Sequence, residues 1–325
     1  MTSPLKNRFT AHAGIELPVI CGAMYPCSNP ELVAAASEAG GIGIVQPVSL
    51  VFVHGHEFRA GLRYIKTLTS KPIGMNLLVE KSAKRYEDRL KEWLDIALEE
   101  GVRFFITALG NPSWVIEKVR PLGGIVYHDV TNLKWAEKAV ANGVDGLICV
   151  NNRAGGHLGT ESPEKLFQDL KKFGLPLICA GGIGSHVEFD QMMAIGYEGA
   201  QLGTRFIASR ECTAHSDYKN AILKANASDI VATDKISGVP VSIIKTPYIE
   251  NVGTQAGPLA RWALRHPNLK HYMRMFYTLK SVWQLKQSNQ KGSSYKDFFQ
   301  AGKSVATIDQ ILTVKDIMKE LTSSR

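Results

Sequence analysis

A histidine set among glycines is the first group in this sequence with clear chemical potential. Residues 145–160, DGLICVNNRAGGHLGT, begin as an apolar β-type run and pass through a polar turn into Gly155, Gly156 and His157. Glycines let the backbone approach a ligand closely, and an imidazole gains or loses its proton near neutral pH. A histidine in a loop is more often solvated or structural than catalytic. His157 is therefore a candidate catalytic residue whose assignment depends on the other motifs.

Two later turns carry glycines of the kind that hold phosphate. In LICAGGIGS, Ala180, Gly181 and Gly182 end an apolar run and open a helical segment, so that bare backbone N–H groups and the helix dipole can meet a phosphate. In AQLGTRF, Gly203 and Thr204 end the next run with a close-approach glycine and a hydroxyl. Either turn alone could be an ordinary tight turn, whereas the pair on neighbouring late strands indicates a phosphate site.

Two further candidates lie nearer the N-terminus. Gly22, Ala23 and Met24 end the first apolar run, and Asn76 lies within the third, in GMNLL. A planar amide could pair with the edge of a heterocycle. An asparagine that satisfies the neighbouring backbone is equally compatible with this position.

These residues must be positioned by a repeating pattern of strands and helices. Most helical segments begin at Asn, Ser or His and end at Gly, and the strands are apolar on both faces, as in a parallel sheet covered by helices. The pattern predicts an α/β fold, a TIM (β/α)₈ barrel. A doubly wound sheet is the alternative, disfavoured because the glycine motifs follow the late strands and no G-x-G-x-x-G follows the first. The eight predicted strands are 18–24, 41–48, 72–79, 103–109, 124–130, 145–150, 176–183 and 199–207.

The pattern changes after residue 210. An aromatic stripe at helical spacing is more typical of packing against the barrel than of a cofactor-binding segment. The segments are a helix at 211–225, irregular or β-like structure at 228–253, the aromatic helix at 259–287 and an amphipathic helix at 306–324. The predicted parts are a barrel core over 1–215, a mainly helical extension over 216–295 that covers the active site, and a C-terminal segment over 296–325 that returns to the barrel.

Composition and charge restrict the partners. The chain has 325 residues, 45% of them hydrophobic, and a net charge of +8, but its basic residues alternate with acidic ones along helical segments. No basic stripe with aromatics is present, so we expect no nucleic-acid partner, while the charge favours anionic small molecules. The five cysteines lack metal-type spacing, which indicates reduced thiols and no metal site. With neither a signal peptide nor a membrane-spanning run, we expect a cytoplasmic protein, with a homodimer as one option.

Seven short motifs together resemble the FMN-dependent nitronate monooxygenase family, also called 2-nitropropane dioxygenases. Relatives of that family include flavin-dependent enoyl-[acyl-carrier-protein] reductases and an NADH:quinone reductase group. The resemblance covers essentially the whole chain and is densest over 10–80 and 140–215. The motifs are specific for the family as a set and poorly specific within it. They are GAM, AAASEAGGIG, GMNLL, NNRAGGHLG, ICAGGIG, LGTRFIASREC and QAGKS.

The resemblance implies a barrel that binds FMN non-covalently under a helical extension. It also implies that His157 matches the active-site histidine and that Gln300, Ala301 and Gly302 return to the flavin from the extension. The residues that would hold the phosphate end are Gly181, Gly182, Gln201, Gly203 and Thr204. Those that would line the ribityl chain and isoalloxazine are Met24, Asn76, Gly155 and Gly156.

The activity that the resemblance implies is oxidation of alkyl nitronates by O₂ to a carbonyl compound and nitrite. His157 would take a proton from a neutral nitroalkane or hydrogen-bond the nitronate oxygens. The alternatives are NAD(P)H-dependent FMN reduction of an enoyl thioester or a quinone and, in a different class, a flavin-free barrel that binds a phosphate ligand.

One position departs from the family pattern. Asp129, in YHDVT, stands where some relatives, including the quinone-reductase group, carry lysine. An anion in place of a cation beside a flavin changes both phosphate affinity and reactivity. The neighbouring His128 is a further polar candidate, for which a structural role is favoured.

Overall fold

A closed barrel of eight parallel strands forms the centre of the computed structural model, which describes residues 5–79, 84–235, 240–255, 283–292 and 298–323 and the single positions 257, 266 and 280. The predicted TIM barrel is confirmed, and each predicted strand contains one observed strand. Observed strands are shorter than the predicted runs, and β1, β8 and β9 end directly before Gly22, Gly181 and Gly203. They are β1 (Val19–Cys21), β2 (Ile42–Val45), β3 (Ile73–Leu78), β4 (Phe104–Ala108), β5 (Ile125–Val130), β6 (Gly146–Val150), then, after the two-residue strand β7 (Gly156–His157) outside the barrel, β8 (Leu177–Ala180) and β9 (Gly199–Leu202).

Helices follow the strands and cover the barrel, as the helix punctuation predicts. The side chains of Asn132 and Ser162 each accept a hydrogen bond from the backbone N–H three residues later, which supplies a cap to the helix that follows. The helices are α1 (Arg8–Ala13), α2 (Pro30–Glu38), α3 (Phe58–Leu68), α4 (Lys84–Glu99), α5 (Ser113–Val119), α6 (Leu133–Ala141), α7 (Pro163–Leu170), α8 (His186–Ile195) and α9 (Thr204–Ile207).

The amino-terminal end of the barrel is closed by α1. Phe9 of this helix is fully buried, and its ring lies 5.9 Å from that of Phe104 and 5.8 Å from that of Tyr127. Gly199 leaves room for it, since a Cβ there would lie 2.7 Å from the Phe9 ring. The interior cluster built on these rings also includes Ala180. A ligand must therefore approach from the carboxyl ends of the strands, where barrels of this type carry their active sites.

The extension is joined to the barrel through a small antiparallel sheet. Strand β11 pairs with β10 on one side and with β7 on the other. The prediction of irregular or β-like structure over 228–253 is confirmed for the two strands of this sheet and is wrong at Pro247–Val252, which form a helix capped by Thr246. Most of the predicted aromatic helix at 259–287 lies outside the described residues. Described elements of this part are α10 (Ser216–Lys224), β10 (Ile230–Thr233), β11 (Val241–Ile244), α11 (Pro247–Val252) and a helical stretch at 283–291, followed by the C-terminal helix Val314–Leu321.

All five cysteines are buried and free. Within the described part of the chain, no helix is long and apolar enough to cross a membrane. The same residues contain no group of three or more His, Cys, Asp or Glu that could hold a metal ion.

Candidate active site

Two amide side chains face the barrel interior near the carboxyl ends of the strands. A Cβ on Gly74 would lie 2.5 Å from the interior side chain of Ile44, so Gly74 and, two residues later on β3, Asn76 both face inward. Gln201 on β9 lies beside Gly22, whose Cβ would be 3.0 Å from the Gln201 Cγ. The Oε1 of Gln201 is buried without a hydrogen-bond partner in the described part of the chain. A buried hydrogen-bond acceptor without a partner is suited to a ligand that supplies a hydrogen-bond donor.

Asp129 also faces inward, whereas His128 does not. Tyr127 belongs to the interior cluster, and side chains two residues apart on a strand share a face. The Nδ1 of His128 is 2.8 Å from Thr107 Oγ1 on the opposite face, and burial lowers the pKa of this imidazole to about 4. His128 is therefore a neutral structural residue. The Oδ1 of Asp129 is buried with no partner among the described residues, and burial raises the pKa of this carboxyl to about 7.

The glycine turns after β8 and β9 present free backbone donors. The N–H groups of Gly181, Gly182 and Gly203 donate to no other described residue. Gly181 and Gly182 have φ angles of 116° and 81°, which favour glycine. Gly203 caps the N-terminus of α9, whose first N–H groups have no intrahelical acceptor. Two adjacent turns of this kind suit the oxygens of a phosphate.

Helix α8 begins with Ser185 as its N-cap, as the helix punctuation predicts, and therefore lies beyond the glycine pair. Its first residue is His186, four positions after Gly182. The carboxylate of Glu188 accepts hydrogen bonds from the N–H groups of Ser185 at 2.9 Å and Gly184 at 3.4 Å. Because Glu188 accepts from the N–H groups of Gly184 and Ser185, the donors that remain at this turn are those of the glycine pair.

The turn after β1 lies against the turn after β9. The Gly22 N–H donates to the carbonyl of Leu202 at 3.0 Å. A Cβ on Gly203 would lie 3.4 Å from the Sδ of Met24, an ordinary contact distance. Ala23 and Met24 are half-buried. Met24 therefore lies next to the free donors of the second glycine turn.

Asn151, directly after β6, ties the His157 loop to the first glycine turn. Its side chain is fully buried, its Nδ2 donates to the Gly181 carbonyl at 3.0 Å, and its Oδ1 accepts from the Arg153 N–H at 2.8 Å. Its own carbonyl accepts from the Gly159 N–H at 3.2 Å. The sequence placed this residue in a polar turn but gave it no role. The available signal was an amide directly after an apolar strand.

Replacing Asn151 with alanine is expected to lower the free energy of unfolding by about 2–4 kcal/mol, because two partly buried backbone groups lose their hydrogen-bond partners. The matched control is Asn132→Ala, which removes a helix cap and should cost about 1 kcal/mol. Urea unfolding of both variants measures the difference. Equal losses would show that Asn151 does not organise the loop.

His157 lies on β7, beside the extension. Gly156 and His157 pair with Ser242 and Val241 of β11 in antiparallel register. Gly156 has a φ of 67°, a conformation that favours glycine. Solvent reaches the His157 ring, but the protein around it desolvates the imidazole and lowers its pKa. The ring is therefore neutral at neutral pH and able to accept a proton.

Gly155 and Gly302 pack backbone against backbone, which leaves no room for a side chain on either residue. A Cβ on either residue would lie 2.7 Å from the backbone nitrogen of the other. The Gly302 N–H donates to Thr204 Oγ1 at 3.0 Å, and the Lys303 N–H donates to the Arg153 carbonyl at 2.9 Å. The returning segment thus contacts both the loop after β6 and the turn after β9. Close backbone packing explains these two glycines without a cofactor.

Gln300 and Ala301 complete the returning segment. Gln300 forms a bridge with Ile243 of β11, and its Oε1 lies 3.5 Å from the position of a Cβ on Gly156. Ala301 is fully buried. The Gln300 side chain therefore reaches the strand that carries His157.

Comparison with known proteins places this geometry among flavin enzymes. The chain is 24% identical, over 97% of its length and 94% of the relative, to the (3aS,4S,5R,7aS)-5-hydroxy-7a-methyl-1-oxo-octahydro-1H-indene-4-carboxyl-CoA dehydrogenase of Rhodococcus jostii RHA1. It is 28% identical, over 76% of its length and 81% of the relative, to a probable nitronate monooxygenase of Staphylococcus saprophyticus. FabK from Thermotoga maritima superposes with a TM-score of 0.80 at 27% identity, covering 98% of this chain and 95% of that one.

The family comparison agrees with the resemblance carried by the motifs. The model of the family described as nitronate monooxygenase matches residues 6–324, nearly the whole chain. The match includes the glycine turns, the His157 loop and the returning segment. The chain therefore belongs to the nitronate monooxygenase family and is a flavin-dependent oxidoreductase.

Proposed function

We propose that the protein binds FMN and oxidises substrates from which His157 removes a carbon-bound proton. The observation that carries the proposal is the neutral imidazole of His157, held on β7 in the loop that Asn151 ties to the first glycine turn. A base of this kind is effective when its pKa lies near or below the working pH and its lone pair is available.

The residues present fit FMN. Gly181, Gly182 and Gly203, whose N–H groups donate to no described residue, would hold its single phosphate together with Thr204. Gln201, with its buried and unpartnered Oε1, would accept a hydrogen bond from the cofactor. When bound, FMN supplies the acceptor for two electrons, while the protein supplies orientation and the base.

The proposed substrate is a nitroalkane or its nitronate, with O₂ as the oxidant and a carbonyl compound and nitrite as products. Nitronate monooxygenase is the description of the matching family and the name of several relatives. A neutral nitroalkane must lose a carbon-bound proton before it can react, and His157 would take it. The nitronate has already lost that proton and needs no base.

An acyl-CoA thioester is the second candidate substrate. It is favoured by the relative from Rhodococcus jostii, which is named as a CoA dehydrogenase and matches 97% of this chain. The carbon next to a thioester carbonyl also carries an acidic proton, so His157 would have the same role. Arg153 and the exposed Lys303 lie on adjoining segments of the chain. Their positive charges support binding of the anionic CoA part of the thioester.

Anaerobic mixing of the FMN-loaded protein with one compound at a time tests the proposal. The compounds are an alkyl nitronate, the parent nitroalkane, an acyl-CoA, NADH and NADPH, and the readout is the loss of oxidised-flavin absorbance. We expect the nitronate and nitroalkane to bleach the flavin fastest, and admission of O₂ to restore it with release of nitrite.

The other outcomes separate the alternatives. Bleaching by acyl-CoA alone would assign the second candidate, and bleaching by NADH or NADPH alone would assign the reductase alternative. A purified protein that contains no flavin and binds no added FMN would refute the cofactor assignment itself.

A further inference from the structure

We propose that Asp129 is a proton-accepting group beneath the flavin, whose carboxylate takes up one proton from solvent when the flavin receives two electrons. This inference rests on the proposed function, because it requires FMN in the barrel mouth. It goes further by giving a role to an inward-facing carboxyl that the base chemistry of His157 does not use.

The placement of Asp129 follows from the strand order. Interior side chains of such barrels stack in layers, each supplied by alternate strands. Asp129 is one inward position beyond Tyr127, a member of the apolar interior cluster. By the same count, the upper layer on the first, third, fifth and seventh barrel strands consists of Gly22, Asn76, Asp129 and Ala180. The other three members are candidate cofactor contacts, so Asp129 lies in the layer that would face the flavin.

Among the described residues, none places a counter-charge beside Asp129. The elements packed against β5 are β4, β6, α5 and α6, and the two helices lie on the opposite face of the strand. On the strands, the neighbouring titratable groups are Tyr127 and His128 of β5 and Cys149 of β6, and burial keeps all three neutral. Burial alone raises the pKa of Asp129 to about 7. With Oδ1 unpartnered, the carboxyl can change its charge without breaking a hydrogen bond to a described residue.

Reduction changes the charge that Asp129 faces. Two electrons and one proton convert a neutral oxidised flavin to an anionic reduced flavin, and in the proposed function the electrons come from the carbon acid. A carboxylate close to that new anion in a poorly solvated site is destabilised, which raises its pKa further. Between about pH 7 and that raised pKa the carboxylate therefore binds one proton on reduction, and in this range the couple takes up two protons instead of one.

The test is the midpoint potential of the bound flavin as a function of pH, for the FMN-loaded wild type, Asp129→Asn and Asp129→Ser. One extra proton per two electrons changes the reduction constant by a further tenfold per pH unit, or 29.6 mV. We expect the wild type to be steeper than both variants by that amount in the interval that begins near pH 7, and to have the same slope as the variants above the raised pKa of Asp129. The matched control is Asp88→Asn, which neutralises an exposed carboxylate on α4 and should keep the wild-type slope.

Equal slopes in the wild type and in whichever Asp129 variant binds FMN would overturn the inference while leaving the proposed function intact. Failure of the wild-type protein to bind FMN would overturn both, and it is seen before any potential is measured. A purely structural role for Asp129 would change stability in the variants but not the slope. The serine variant keeps a small polar group, so that the test does not depend on how asparagine packs.

Discussion

Replacing His157 with asparagine is expected to leave FMN bound and to lower turnover of a neutral nitroalkane by roughly 10²–10⁴-fold, the usual loss on removal of a general base. Asparagine keeps a polar side chain on β7 but cannot accept the carbon-bound proton. With the preformed nitronate the loss should be much smaller, because no proton has to be removed. Steady-state rates on both substrates, with flavin content measured by absorbance, provide the comparison.

The pH dependence gives this prediction a second readout. Desolvation lowers the pKa of His157, so its basic form is present at neutral pH and is lost only in acid. In the wild type, kcat/KM for the nitroalkane should be flat above the ordinary histidine range and fall below it, and His157→Asn should lack that limb. His186→Asn, at an exposed position at the start of α8, is the control. Equal losses on both substrates would instead show an orienting role.

Replacing Gly203 with valine is expected to weaken FMN binding by about 100-fold or more while the barrel stays folded. The φ of −115° at Gly203 is open to any residue, so the backbone is not strained. A branched side chain would occupy the space in front of the free N–H groups of this turn. Loss of one or two hydrogen bonds to a charged phosphate, at about 1.5–3 kcal/mol each, accounts for the magnitude.

The matched variant for this test is Gly203→Ala. Its Cβ would lie 3.4 Å from the Sδ of Met24, an ordinary contact, so we expect far less loss of FMN than with valine. Isothermal titration of the flavin-free proteins measures affinity, and thermal unfolding checks the fold. A valine variant that purifies with a full complement of FMN would show that this turn does not hold the phosphate.

The barrel was predictable because its signals are local. Apolar runs, helix caps and terminal glycines can each be recognised within a few residues of sequence. Eight consecutive strand–helix units are compatible with few folds other than the barrel. Helix α1 was missed because six residues give little periodicity, and because the reason for burying Phe9 exists only once the barrel bottom has formed. Strand ends were overextended because a glycine turn and a strand end look alike in sequence.

The candidate site was predictable in composition but not in its internal contacts. The glycine turns and His157 were identified by residue type and order. The contact between Gly155 and Gly302 joins segments far apart in the chain, and glycine looks the same in sequence whether it admits a ligand or another backbone. The inward orientation of Asp129 required the strand register, because a shift of one residue would have turned it toward the helices.

The pairing of β7 with β11 has a consequence for protein engineering. His157 lies opposite Val241 in the antiparallel pairing of β7 with β11, and Val241 belongs to the extension. A chimaera that exchanges the extension between two family members to transfer substrate preference would also exchange the strand on which this imidazole rests. Grafts should therefore keep Val241 and Ser242 with the barrel, or donate the two halves of the sheet together. Otherwise the graft would change substrate specificity and displace His157 at the same time, and the two effects on activity could not be separated.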